Sequence, residues 1–237
     1  LDFGSQYTQL ISRRIREQNV YSEIMSPDVS IEVIKERSPK AIILSGGPSS
    51  VYEDSSPKYD SKLFAMDIPI LGICYGLQLM AHHYNGQVKS SSHGEYGFAL
   101  INIMNSEHLF QSVSGNTQVW MSHMDRVTQI PPGWEVMAES SNGVVAAMGH
   151  VELKRFAAQF HPEVNHTVEG KTILNNFLFK IAGCSPDWTA GNFIHEHVEK
   201  IREITAGKRV LVGVSGGVDS SVVAALLNKA IGEQSIA

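Results

Sequence analysis

The run Gly72-Ile73-Cys74-Tyr75-Gly76 constrains this chain more than any other stretch. An apolar segment, Ile68 to Ile73, leads into it, and a segment of helical pattern, Tyr75 to about Tyr84, leads out. A strand that turns directly into a helix around two glycines belongs in a sheet of parallel strands covered by helices. The glycines have a mechanical reason, because a tight turn packed against its neighbours leaves no room for Cβ atoms. Such a turn thrusts the cysteine out at the end of the sheet, where the amides of a helix N-terminus favour a thiolate. By itself the pentapeptide also fits a buried cysteine at a packing turn.

The neighbouring pattern supports the same architecture. Gln6 to Gln18 reads as helix, Val20 to Met25 as strand, Ser30 to Arg37 as helix and Ala41 to Leu44 as a buried strand, which Ser45-Gly46-Gly47-Pro48 then breaks. Beyond Tyr84, residues 98–104, 117–121, 134–138, 144–149 and 155–160 read as short strands that add antiparallel members, and Val168 to Ala182 as a closing helix. The expected fold is α/β, an open, mostly parallel sheet with flanking helices. Residues 1–182 form one domain, and the opening Leu1-Asp2-Phe3-Gly4-Ser5 reads as if a first strand had been cut away. Residues 183–191, with Ser185-Pro186-Asp187 and two glycines, suit a linker. Residues 192–237 carry a helix (Phe193 to Ile204), a β-branched strand (Arg209 to Val214) and a helix (Ser220 to Ile231), the start of a second α/β domain.

Composition narrows the function. A net charge of −5 without blocks of like charge offers no basic stripe for nucleic acid, and no apolar run reaches the length of a membrane span. Small polar substrates fit better. Cys74 and Cys184 make neither a disulfide framework nor a metal-ligand spacing, which suits a reducing cytoplasm.

Phe160-His161-Pro162-Glu163 supplies what Cys74 lacks. The histidine and carboxylate lie just past a strand end, where open α/β sheets gather their sites. His161 can shuttle a proton, and Glu163 can hold its ring in one tautomer. Ser45-Gly46-Gly47-Pro48 also follows a strand, so the amides of Gly47 and Tyr75 are candidates for an oxyanion hole. Further along, Ser215-Gly216-Gly217-Val218-Asp219-Ser220-Ser221 opens a helix with exposed amides and hydroxyls suited to a polyphosphate, without the Gly-Lys-Ser/Thr ending of a Walker loop.

Together, Gly72-Ile73-Cys74-Tyr75-Gly76-Leu77-Gln78, Phe160-His161-Pro162-Glu163 and Ser45-Gly46-Gly47-Pro48 resemble the class I (triad-type) glutamine amidotransferases, over residues 1 to about 182. The resemblance implies a catalytic triad of Cys74, His161 and Glu163 that hydrolyses glutamine through a glutamyl thioester. It implies that Gln78 binds the substrate, and that Met121-Ser122-His123-Met124-Asp125 receives its α-amino and α-carboxylate groups, with Ser122 and His123 in contact and Asp125 on the ammonium. His93 and Tyr96 are weaker candidates for lining the pocket. Met124 stands where the family often has a small or polar residue, so a local difference in loop shape is expected.

Ser215, Gly216, Gly217, Val218, Asp219, Ser220 and Ser221 resemble the ATP-binding loop of pyrophosphatase-type enzymes. A triad amidotransferase followed by this loop resembles the enzymes that adenylate XMP with ATP and Mg2+ and displace AMP with ammonia to give GMP. Asp2-Phe3-Gly4-Ser5-Gln6-Tyr7 and His161 to Thr167 are similar to them as well. The resemblance implies glutamine, XMP and ATP as partners, a homodimer, and no cofactor for the glutaminase half. This chain is then expected to keep at most the glutaminase half. The alternatives are an amidotransferase subunit serving another acceptor, which the serine-rich loop disfavours, and a non-catalytic sensing module, which the intact triad disfavours.

Overall fold

The computed structural model describes residues 1–236, apart from the side chains of positions 92 and 93. It divides into two compact units, Leu1–Pro186 and Asp187–Ala237.

In the first unit the strands are β1 (Ile42–Leu44), β2 (Ile70–Ile73), β3 (Gln87–Ile103), β4 (Asn116–Gln129), β5 (Glu135–Ser140), β6 (Val145–His150) and β7 (Arg155–Ala158). They form one sheet in the order β1-β2-β7-β6-β5-β3-β4. β1, β2 and β7 run parallel, and from β7 through β6, β5 and β3 to β4 each pair is antiparallel. Its helices are α1 (Thr8–Arg16), α2 (Ile31–Arg37), α3 (Tyr75–His83) and α4 (Gly170–Asn175), the last continuing as a π-helical stretch, Asn176–Ile181.

The strands at the centre are apolar on both sides because both faces are covered. Leu71, Ile73, Phe156 and Ala158 join Ile11, Ile15, Ile173 and Phe177 in one core, while Ile70 and Ala157 join Leu44, Leu77 and Met80 in another. Alternate residues of one strand thus reach opposite faces. α1 turns Ile11 and Ile15 inward at a spacing of four and places Arg13, Arg14 and Arg16 in its last turn, where the helix dipole favours cations. α2 is capped by Ser30, whose side chain accepts from Val33 N.

Two expectations are corrected. Val20 to Met25 forms no ladder among the described residues: Asp2 N donates to Met25 O at 2.9 Å, while Leu1 bonds instead to Ile43 and Ser45. A single bond does not make a strand pair. The strands expected at 98–104 and 117–121 are parts of a much longer ribbon, β3 and β4, paired from Asn102 and Asn116 down to Gln87 and Gln129 with a bulge near Ser90 to Glu95.

In the second unit α5 (Ala190–Thr205) starts within the segment read as a linker, where the Thr189 hydroxyl accepts from Asn192 N at 3.1 Å. β8 (Val210–Leu211) pairs in parallel with β9 (Ser235–Ile236), and α6 (Val218–Ile231) lies between them in sequence. β8 is shorter than the expected Arg209 to Val214.

Candidate active site

β1, β2 and β7 are parallel neighbours, so the residues that follow them meet at one edge of the sheet. These are the Ser45 to Pro48 loop, Cys74 and His161. Cys74 has φ 53° and ψ −102°, outside the common regions for a side-chain-bearing residue. The turn is held from both sides, by Cys74 N on Ala158 O at 2.8 Å and by Gly76 N on Ser45 O at 3.2 Å. Its glycines are forced by contact: a Cβ on Gly72 would lie 2.5 Å from Gly76 O, and one on Gly76 would lie 2.5 Å from Leu44 O.

His161 sits within hydrogen-bonding reach of the Cys74 side chain, and its Nδ1 lies 2.8 Å from Glu163 Oε1. Both are almost fully buried. Burial alone would lower the pKa of His161, but its hydrogen bonds to Cys74 and Glu163 and the attraction of both outweigh it and raise it to about 10. The backbone around the ring is tied down: His161 N donates to Trp120 O at 3.0 Å, and the Thr167 hydroxyl donates to His161 O at 2.6 Å while accepting from Trp120 N. Glu163 O accepts from Arg14 Nε at 2.9 Å, whereas Glu163 Oε2 has no partner among the described residues.

The sulfur opens on a cavity of about 460 Å3 lined by Gly47, Cys74, Gln78, Tyr96, Ser122, His123, Asp125 and His161, among others. Most of the residues singled out in the sequence therefore converge here, and Met124 is on the rim as well. The Tyr75 ring turns away, buried against Phe3 at 5.3 Å between centroids. Only the Tyr75 amide remains at the turn, and neither it nor the Gly47 amide donates a hydrogen bond among the described residues. Ser122 contributes its carbonyl, which accepts from Cys74 Sγ at 3.6 Å. Gln78 Nε2 donates to Asp125 O at 2.9 Å and to Gln159 Oε1 at 3.4 Å. Asp125 Oδ1 accepts from the Tyr52 hydroxyl at 3.0 Å. His93 lies outside the described side chains.

Gln159, Tyr52, Glu95 and Thr167 belong to this neighbourhood without having been singled out. Gln159 is fully buried, and its Nε2 lies 3.7 Å from Cys74 Sγ. Its signal was an amide in the otherwise apolar run Phe156 to Phe160. Tyr52 carries no local signal, and Thr167 stands only as the end of the run His161 to Thr167.

In the second unit the seven residues Ser215 to Ser221 gather at the start of α6. Gly216 has φ +84°, Ser220 and Ser221 donate to Gly217 O at 3.0 and 2.9 Å, and Ser215 Oγ lies 3.1 Å from Ser220 Oγ. Asp219 is in the first turn of the helix, and most of the loop is exposed.

Residues 1–181 match the family model of the class I glutamine amidotransferases, and the chain belongs to that family. Residues 189–237 match the model of NAD synthase. Among curated relatives, the glutamine-hydrolyzing GMP synthase of Brachyspira hyodysenteriae is 53% identical over 234 residues, covering 99% of this chain and 46% of that protein. That of Campylobacter jejuni is 52% identical over 236 residues, covering 100% and 46%. The chain thus spans about half the length of the curated relatives it matches. Among solved structures, a protein assigned as one of the GMP synthase subunits of Thermoplasma acidophilum superposes with a TM-score of 0.70 at 29% identity, over 83% of this chain and 95% of that one. A glutamine amidotransferase of Thermotoga maritima has the same fold, with a TM-score of 0.62 at 20% identity over 76% and 93%.

Proposed function

We propose that this chain hydrolyses glutamine at Cys74 and supplies the ammonia for GMP synthesis. The observation that carries the first half is the sequence of contacts from Cys74 to His161 to Glu163 at the mouth of a cavity large enough for an amino acid. The sulfur attacks the carboxamide carbon of glutamine, and a C–S bond forms while His161 holds the thiol proton. The oxygen that gains charge meets the amides of Gly47 and Tyr75. His161 then gives its proton to the departing nitrogen, the C–N bond breaks and ammonia leaves a glutamyl thioester. Water, deprotonated by His161, cleaves the thioester to glutamate and restores the thiol. Glu163 keeps the imidazole oriented throughout.

Gln78, Ser122, His123 and Asp125 hold the substrate, with the Asp125 carboxylate on its ammonium group. The relatives' name and the loop Ser215 to Ser221 support the second half in the full-length protein: ATP bound there adenylates XMP with release of pyrophosphate, and ammonia displaces AMP to give GMP. Amides and hydroxyls at the start of α6 suit the phosphates, and Asp219 would face a Mg2+ ion that accompanies them. The resemblance to the XMP-aminating enzymes supports a homodimer. Cys74 and Cys184 are not joined, which fits the cytoplasm, and no described helix is long and apolar enough to cross a membrane.

Ammonia release from glutamine tests this reading. Cys74→Ala should abolish it while leaving the unfolding midpoint close to that of the parent; hydrolysis that survives the substitution would sink the proposal.

A further inference from the structure

His123 presents both ring nitrogens to acceptors. Nδ1 lies 3.0 Å from Asp125 O, and Nε2 lies 3.2 Å from Glu95 Oε2. A neutral imidazole has one N–H, so only a doubly protonated ring turns both contacts into hydrogen bonds. Glu95 is fixed in its turn: Oε1 accepts from Ser140 Oγ and from Asn142 Nδ2, each at 2.8 Å. Its side chain is 10% exposed and that of His123 3%, and the two are direct partners across the β3–β4 ribbon. His123 and Asp125 line the cavity, whereas Glu95 stands behind them. Asp125 O is the joint of the arrangement, since it also accepts from Gln78 Nε2.

We propose that Glu95 is a positioning residue for glutamine, an inference that rests on the reading of the cavity given above. When the ring is protonated its carboxylate holds His123 as a two-armed donor, and the ring in turn fixes the Asp125 carbonyl and with it the segment that receives the substrate's α-amino group. Glu95 does not line the cavity and acts only through His123, so its influence is expected on binding and not on the chemical step.

The groups facing His123 are Glu95 across the ribbon, Asp125 on its own strand with its carboxylate engaged by Tyr52, and His161 beyond the end of β7. Burial is the largest influence and lowers the pKa of His123. The Glu95 charge and the bonds to Asp125 and Glu95 raise it, His161 lowers it, and the net direction is down. The two-armed ring is the form present at lower pH. The hold on Asp125 therefore weakens as pH rises through the His123 pKa.

Glutaminase kinetics of the full-length protein across pH test this, with variants E95Q, H123Q and the double variant. At pH below the His123 pKa, where the ring is charged, E95Q should raise KM for glutamine about tenfold, the scale of a hydrogen bond to a charged group, with kcat within about twofold. The pH at which KM begins to climb should move lower, because an influence that raises the His123 pKa is gone. In the H123Q background E95Q should add no further rise, since Glu95 acts through that ring. Ser140→Ala removes one donor from Glu95 and should give a smaller rise of the same kind, which keeps the test valid if E95Q fails to fold. An unchanged KM and pH profile in E95Q, or effects that simply add in the double variant, would overturn the inference. An inactive parent enzyme would instead sink the reading of the cavity and this inference with it.

Discussion

Gly76→Ala is the sharpest test of how the turn at Cys74 is built. A Cβ at this position would lie 2.5 Å from Leu44 O, 2.8 Å from Leu44 Cβ and 3.1 Å from Leu44 C. Favourable carbon contacts begin near ~3.5 Å, so the overlap is about 1 Å. The obstacle is the backbone of a strand residue that is fully buried, with no flexible side chain to swing aside. Relief requires α3 to move off β1, which strains the bond from Gly76 N to Ser45 O. Overpacking costs about 1–3 kcal/mol, and a backbone obstacle puts this case near ~3. At roughly 2–4 °C per kcal/mol for a unit of this size, the unfolding midpoint should fall by about 10 °C. The same movement displaces the Tyr75 amide and Cys74 by about 1 Å, which for a catalytic group costs on the order of a hundredfold in rate. Calorimetry and ammonia release measure the two effects. Gly115→Ala is the control, because a Cβ there meets nothing within 4 Å, and neither quantity should change. A Gly76→Ala protein with the parent's midpoint and rate would show that the turn is not clamped as described.

Glu163→Gln should alter how stability depends on pH. The pKa of His161 is raised from 6.5 to about 10, so its contribution to stability is fully present below 6.5 and is lost as pH rises through about 10. Glu163 is one of the influences that raise it, and the variant should show a flatter decline of unfolding free energy across that window; equal slopes in urea melts of the two proteins would contradict the assignment. Arg155→Met should destabilise the first unit by about 3 kcal/mol or more, because buried Arg155 gives Nη1 to Ile68 O and Leu153 O and Nη2 to Phe64 O and Met66 O, and each orphaned carbonyl carries a cost. Arg155 lies at the start of β7, at the opposite end from His161, so KM for glutamine should stay unchanged at temperatures where the variant is folded; a midpoint within about 2 °C of the parent's would refute the bookkeeping.

The parallel part of the fold was legible because its signals are local. β2 is a run of apolar residues, α3 follows it without a gap, and the glycines mark where the backbones touch. The ribbon was not legible to its full length, for a reason visible in β4. Its inward positions are Thr117, Val119, Met121, His123, Asp125 and Val127, and every one of them is buried. The alternation is complete in burial but broken in polarity at His123 and Asp125, so a hydrophobic pattern ends the strand at Met121. Val20 to Met25 failed the other way. It has the composition of a strand, but a strand exists only where a neighbour offers a ladder.

The break in β4's apolar pattern is where function enters the sheet. Polar residues at inward positions are costly unless they are bonded, and His123 and Asp125 are bonded to Glu95, Gln78 and Tyr52, which come from three other parts of the chain. None of these partners is within reach in sequence. Glu95 is opposite His123 only because the ribbon's bulge sets the register, and Tyr52 reaches Asp125 from the loop after β1. A sequence motif can name Cys74, His161 and Glu163, since Cys74 follows β2, His161 and Glu163 follow β7, and the two strands are neighbours. It cannot name the residues that hold the substrate-binding segment still, because their meeting depends on register and loop path. The same logic locates Gln159: its place in an apolar strand is visible in the sequence, but its contacts with Cys74 and Gln78 exist only once β2 and β7 are paired. A buried polar residue in an apolar run is therefore readable as a site residue, while its role waits on the sheet.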